Sequence, residues 1–316
     1  MSIGGYFELE LARGEEYHRN AIRLNTGRNA FEYILRAKKY KKVYLPFYTC
    51  DVMLEPIMKL NLEYEFYSID SNFMPIFDFT DIKKNDVFVY NNYFGICDEQ
   101  VKEVASVCEN LIVDNSQAFY NKPIKGIDTF YSPRKFFGLP DGAYLFTDNL
   151  FEYELEKDIS YERCEHLLGR IDTCAEHHFQ VYKENSKSLC NQPIKEMSNL
   201  TQKLLASIDY KTISNKRKEN FNYVHKELSN KNKLKLDIIS TEIPMVYPFL
   251  VDDGNLLRRE LIANKVYVAT YWPNVLDWAK PNSLEYNLGL NLIAIPIDQR
   301  CDFRNNFSLL DIVYSL

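Results

Sequence analysis

The chain has 316 residues, 46% hydrophobic and 26% charged, with only 11 Gly and 12 Pro; this excludes a disordered or collagen-like polymer and suits one large α/β domain or a large and a small one. Its 44 acidic against 38 basic residues leave a net charge of −6, the wrong sign for gripping a phosphate backbone, so no nucleic-acid partner is expected. The 23 Tyr and 20 Phe against 2 Trp are compatible with an aromatic-lined cleft or with a core of large rings, and composition leaves both open.

In chain order, β-rich runs at residues 43–45, 64–67, 87–90, 111–113, 129–131 and 143–146 alternate with helical spacing at 29–38 and 98–108, where Asp98 is placed to cap the second helix. This is the pattern of a largely parallel sheet flanked by helices. From 150 to about 229 the strand signal stops and the sequence reads as a helical connector. Strand runs at 245–251, 266–268 and 292–295, with a helix at 256–263, then restart the alternation. The fold class expected is therefore α/β, with a large unit of residues 1–229 and a smaller C-terminal α/β unit of 230–316. No apolar run reaches the roughly 18 residues of a membrane span. The acidic start lacks a signal-peptide core, so a cytoplasmic protein is expected, without membrane partners.

Seven scattered cysteines without C-x-x-C, and five histidines without H-E-x-x-H, indicate neither a disulfide framework nor a metal site. Chemistry is better sought at the carboxyl ends of parallel strands, where ligands of α/β sheets gather. Strand 111–113 runs into Asp114-Asn115-Ser116-Gln117, and strand 129–131 into Ser132-Pro133-Arg134-Lys135. The turn Asn25-Thr26-Gly27-Arg28-Asn29 opens the first helix. A lysine desolvated beside a cleft has a lowered pKa and serves as a Schiff-base nucleophile. A buried aspartate holds a pyridine nitrogen protonated. A helix N-terminus with a Gly-containing turn cradles phosphate. These three together are what pyridoxal phosphate requires.

Asn25-Thr26-Gly27-Arg28-Asn29-Ala30, Tyr44-Leu45-Pro46-Phe47-Tyr48-Thr49, Asp114-x-x-Gln117, Ser132-Pro133-Arg134-Lys135 and Pro140-Asp141-Gly142-Ala143 follow one another in the order seen in a known family. On them, and on Tyr247-Pro248-Phe249-Leu250, Val268-Ala269-Thr270-Tyr271-Trp272-Pro273 and Ile295-Pro296-Ile297, the chain resembles the DegT/DnrJ/EryC1/StrS sugar aminotransferases over nearly its whole length. The resemblance implies the type I fold of pyridoxal 5'-phosphate enzymes. It makes Lys135 the Schiff-base lysine and proton carrier, and Asp114 the partner of the ring nitrogen. Gln117 falls on the ring-oxygen side, and Thr26, Gly27 and Arg28 on the phosphate turn. It also implies a homodimer, an amino-acid donor (glutamate) and a nucleotide-linked keto-sugar acceptor, in surface polysaccharide or O-antigen assembly.

The chain departs from the family pattern at several points. Phe130 stands five residues before the lysine, where the family has a phosphate-binding Ser, with Ser132 as the substitute. Cys50 takes the place of a ring-stacking aromatic, with Tyr48 or Tyr93 as replacements. Pro140-Asp141-Gly142-Ala143 stands for G-E-G-G, and Ile194 and Glu196 replace the Asn and Arg that reach across the dimer. Tyr6, Tyr93, Tyr271 and Trp272 are the candidates for binding sugar and base, with Phe94 among the rings at segment ends. Two alternatives stand beside transamination. One is a lyase or sugar dehydratase on the same fold, against which the retained Lys135 counts; the other is a non-catalytic protein with a regulatory or scaffolding role.

Overall fold

The computed structural model describes residues 4–236, 239–303 and 308–315. Eight strands form one sheet: β1 (Ile22–Leu24), β2 (Lys42–Pro46), β3 (Glu63–Ile69), β4 (Pro75–Ile76), β5 (Asp86–Asn91), β6 (Leu111–Asp114), β7 (Asp128–Tyr131) and β8 (Ala143–Phe146), in the order β1-β8-β7-β6-β5-β2-β3-β4. The five central strands run parallel, and β1, β8 and β4 pair antiparallel at the edges. All six β-rich runs expected in the first half are strands. The chain lays β3 on one side of β2 and returns to place β5 on the other, so the order reverses between β2 and β5. A crevice opens at the carboxyl ends of strands at such a reversal.

Both sheet faces are covered. One carries α1 (Gly27–Lys38) and α2 (Leu54–Lys59), whose Phe31, Ile34, Leu35 and Ile57 pack with Val43, Leu45, Val87, Val89 and Ile112. The other buries Tyr44, Phe88, Tyr90, Val113 and Tyr131 against α3 (Asp98–Val107) and the aromatics of 119–137. Central strands buried on both faces read as continuous apolar runs, which is why they were legible. The helical stretch contains α4 (Glu165–Asp172), α5 (Phe179–Ser188), α6 (Asn199–Ala206) and α7 (Tyr210–Leu228). Among the described residues no helix is long and apolar enough to cross a membrane.

The C-terminal part has a core of its own. Strands β9 (Val246–Leu250) and β10 (Leu292–Pro296) pair antiparallel, and Tyr247, Phe249, Ile293 and Ile295 pack with Phe221, Val224 and Leu228 of α7 and with Leu257 and Leu261 of α8 (Gly254–Ala263). Two short helices, α9 (Val275–Trp278) and α10 (Leu284–Asn291), and α11 (Ser308–Ser315) complete it. The expected strand at 266–268 is not one. Lys265 turns the chain at φ 60°, Tyr267 points outward to Glu176, and only Ala269 bridges to Ala294.

The cap of α3 also differs from expectation. Asp98 is the first helical residue, and its own carboxylate accepts from Asn92 Nδ2 (3.0 Å). Its backbone N–H donates to Glu242 Oε1 (2.9 Å), so the cap comes from a residue far along the chain.

Candidate active site

At the strand-order reversal lies a cavity of about 170 Å³. Cys50, in the turn after β2, and Asn91 and Asn92, at the end of β5, form one wall; Asp114, Ser116 and Gln117 follow β6, and Ser132, Arg134 and Lys135 follow β7. The N-terminus of α1 closes one end. Of the positions expected from sequence, Thr26, Gly27, Arg28, Cys50, Asp114, Gln117, Ser132, Lys135 and Trp272 line this one cavity.

The helix end is firmly fixed. Thr26 caps α1 by accepting from the Asn29 N–H (3.1 Å), and the buried Asn25 and Asn29 hold the turn by hydrogen bonds to the Pro193 carbonyl (3.1 and 2.7 Å). A Cβ at Gly27 would stand 3.7 Å from Ser132 Cβ and 3.9 Å from Ser116 Oγ. Bare backbone thus faces two hydroxyls at a point where unpaired N–H groups and the helix dipole favour negative charge.

Asp114 Oδ1 accepts from the Ser116 N–H (2.7 Å). Burial pushes its carboxyl up from the ordinary range, opposed by its hydrogen bonds from Ser116 and by the charge of Lys135. Lys135 differs from the desolvated lysine expected. It lies on the single 3-10 turn Pro133–Lys135, its side chain is exposed, and its ammonium stands 5.6 Å from the centre of the Tyr271 ring. The Gln117 amide accepts from the Phe94 N–H (2.9 Å) through Oε1, leaving Nε2 buried without a partner. Asn91 gives Nδ2 to Thr49 Oγ1 (2.9 Å) and keeps Oδ1 unpaired. Both residues line the cavity wall, where such an orphaned atom is left for a water or a bound group to satisfy.

The other candidates sit elsewhere. Tyr6 is 98% exposed on the N-terminal segment and does not line the cavity. Tyr48 and Tyr93 are fully buried behind it, stacked on each other at 5.6 Å, with Tyr48 edge-on to Trp272 at 5.0 Å. Tyr271 touches the site through Lys135 and packs on Phe94. Cys50 lines the wall, and burial pushes its thiol up against the opposing charge of Lys135, so it stands there protonated. Phe130 stacks on Phe31 at 5.9 Å as floor. Glu196 pairs with Lys157 (3.4 Å), while its backbone bridges to Leu24.

Sequence reasoning missed Ser116, Arg134 and Asn91. Asn91 directly follows the run 87–90, within reach of the strand-end rule; Ser116 and Arg134 lie inside the motifs of Asp114 and Lys135 and carry no separate signal.

No protein-family model and no curated protein sequence matches the chain. Solved structures do. The sugar aminotransferase CalS13 from Micromonospora echinospora matches with a TM-score of 0.65 at 14% identity, covering 93% of this chain and 87% of its own. A DegT DnrJ EryC1 StrS aminotransferase from Brucella abortus matches at 0.61 and 12%, covering 93% and 85%. Spr1654 from Streptococcus pneumoniae, in its PLP form, matches at 0.65 and 14%, again covering 93% and 85%. Over nearly all its length, then, this chain carries the fold of sugar aminotransferases.

Proposed function

We propose that the chain is a pyridoxal 5'-phosphate-dependent aminotransferase that moves an amino group from an amino acid, glutamate being the expected donor, to a nucleotide-linked keto-sugar. The observation that carries it is the placing of Asp114 and Lys135 at the carboxyl ends of the neighbouring strands β6 and β7, on one cavity with the N-terminus of α1. The fold and the PLP form of a matched structure support it. We further infer a cytoplasmic homodimer acting in surface polysaccharide or O-antigen assembly. For the dimer, the exposed Leu168 and Ile171, one turn apart on α4, offer apolar contacts.

The residues fit the cofactor. Gly27, Ser116 and Ser132 suit a phosphate, the unpaired Nε2 of Gln117 suits a ring oxygen, and the buried Asp114 carboxylate, oriented by Ser116, suits a ring nitrogen. When bound, the cofactor supplies an aldehyde for amines and a ring that withdraws electrons from the carbon bearing the amine. Burial holds the Asp114 carboxyl above its ordinary range, and a positive charge at the ring nitrogen would favour its ionised form and so help to keep that nitrogen protonated. Lys135 Nζ is ion-paired to nothing among the described residues, so its amine is available first as the anchor and then as the base that takes a proton from the donor carbon and returns it. Trp272 and the Tyr48–Tyr93 pair keep water from that side of the cavity.

The purified protein should turn yellow with pyridoxal 5'-phosphate and bleach with glutamate. Lys135→Ala should lose the visible band and about 10²- to 10⁴-fold in transamination rate. A protein that stays colourless with added cofactor would overturn the assignment.

A further inference from the structure

Three cations, Arg28, Arg134 and Lys135, line the cavity against one carboxylate, Asp114. Arg28 is satisfied by Glu55 at 2.9 Å. Arg134 is not. Among the described residues it has no ion pair; its Nη2 reaches only Ser186 Oγ at 3.4 Å, and its Nε is sealed from solvent with no acceptor. The carboxylate whose charge bears on it, Asp141, is already engaged by Ser160, Thr201 and Arg163. Arg28 and Arg163 meanwhile add charge of its own sign, and burial lowers its pKa. Burying a guanidinium under such conditions is unfavourable until an anion arrives. The same cavity holds the N-terminus of α1, with Ser116 and Ser132 about the bare backbone of Gly27.

We propose that Arg134 binds a phosphate monoester seated at the N-terminus of α1, its planar fork taking oxygens that the Ser116 and Ser132 hydroxyls and the helix N–H groups leave free. A phosphate suits the site better than a carboxylate. It brings up to two charges to a cavity where, with Arg28 paired to Glu55, Arg134 and Lys135 outnumber Asp114, and three oxygens to donors on three sides. We rely on the aminotransferase assignment for the monoester's identity as the cofactor's, and on the cavity alone for the phosphate, which a phosphorylated substrate would equally supply.

Two ligands that differ only in that group test it. Pyridoxal 5'-phosphate and pyridoxal would be titrated into the wild-type chain and Arg134→Gln, by calorimetry and by the fluorescence of Trp272 in the cavity wall. Arg134→Gln should lose about 10- to 100-fold in affinity for the phosphorylated ligand and no more than about twofold for pyridoxal, with Arg134→Lys recovering part of the loss. Equal losses for both ligands, or none, in a variant with unchanged melting temperature overturn the proposal while leaving the aminotransferase assignment standing. Should the wild type bind neither pyridoxal compound, that assignment falls alone: inorganic phosphate binding the wild type but not Arg134→Gln still supports the anion seat, and phosphate binding neither overturns it. In the cofactor-loaded wild type, exclusion of inorganic phosphate assigns the seat to the cofactor, and Arg134-dependent binding of it assigns the seat to a substrate phosphate; both support the residue's role.

Discussion

Gly142 sits on the cavity rim at φ 106°, with its N–H donating to the Asn25 carbonyl (2.7 Å), and a Cβ there would stand 3.0 Å from Thr201 Cγ2 and 3.3 Å from Met197 Cε. Left-handed backbone and crowding act together, so Gly142→Ala should cost about 1–3 kcal/mol and lower the melting temperature by several degrees; an unchanged transition in calorimetry would show that the rim gives way freely. Its neighbour Asp141 is fully buried and serves structure, holding Ser160 Oγ and Thr201 Oγ1 at 2.5 Å together with Arg163. At this scale the sequence disclosed residues that follow an apolar strand run, Asp114 and Lys135 above all, because strand ends deliver side chains to the crevice whatever the surroundings. Arg134 stood beside Lys135 in the same motif. What distinguishes it, the lack of a carboxylate partner, depends on where α4, α5 and Glu55 come to rest, and no local pattern encodes that. Tyr6 failed as a cavity residue for the converse reason: an aromatic near a terminus has no strand to aim it.

Elements were legible in proportion to their length and burial. The three residues of β1 are too few for any period to declare itself, and they become a strand only because β8 offers them an antiparallel edge. The cap of α3 was invisible for a related reason, since Glu242 belongs to a different stretch of chain. Arg217 on α7 ties elements together in the same long-range way. Its guanidinium donates to the carbonyls of Met245 (2.9 Å), Pro244 (3.4 Å) and Phe136 (3.3 Å) and lies 4.6 Å from the Phe136 ring centre. Arg217→Met would fill most of the volume but strand those carbonyls, at a cost of roughly 3 kcal/mol. Arg217→Lys, a point charge without the fork, should recover only part of the loss in urea denaturation. Equal stability of Arg217→Met and wild type would mean that water replaces the guanidinium at no cost.

For the molecule as a whole, the aromatic excess is mostly core: Tyr90, Tyr131, Tyr144, Tyr247, Phe31, Phe88 and Phe119 are all fully buried. Two buried groups in this interior titrate in opposite senses. Burial pushes His18, whose ring packs 4.2 Å from Tyr131, down from 6.5 to about 4. It pushes Glu242 up from 4.5 to about 7 against two backbone N–H donors. Between about pH 4.5 and 6.5 the unfolded chain carries the extra proton at His18, so stability rises with pH there; the folded chain carries it at Glu242, so stability falls. The two slopes offset each other in the wild type. Glu242→Gln should therefore acquire a stability that climbs with pH across this window relative to wild type, and His18→Asn one that declines, each by at most about 1.4 kcal/mol per pH unit. Parallel melting curves for all three proteins across the window would rule this out.

The backbone of Phe94 links a wall of the cavity to the C-terminal strands. Its N–H is held by Gln117 Oε1 (2.9 Å), and its carbonyl receives the Met245 N–H (2.7 Å) one residue before β9 begins. Gln117 itself lines the cavity, and the other end of its amide, Nε2, is buried without a partner among the described residues. A wall of the crevice and the approach to the first C-terminal strand are thereby tied to the two sides of a single residue, so that Phe94 cannot shift at one without straining its hydrogen bond to the other.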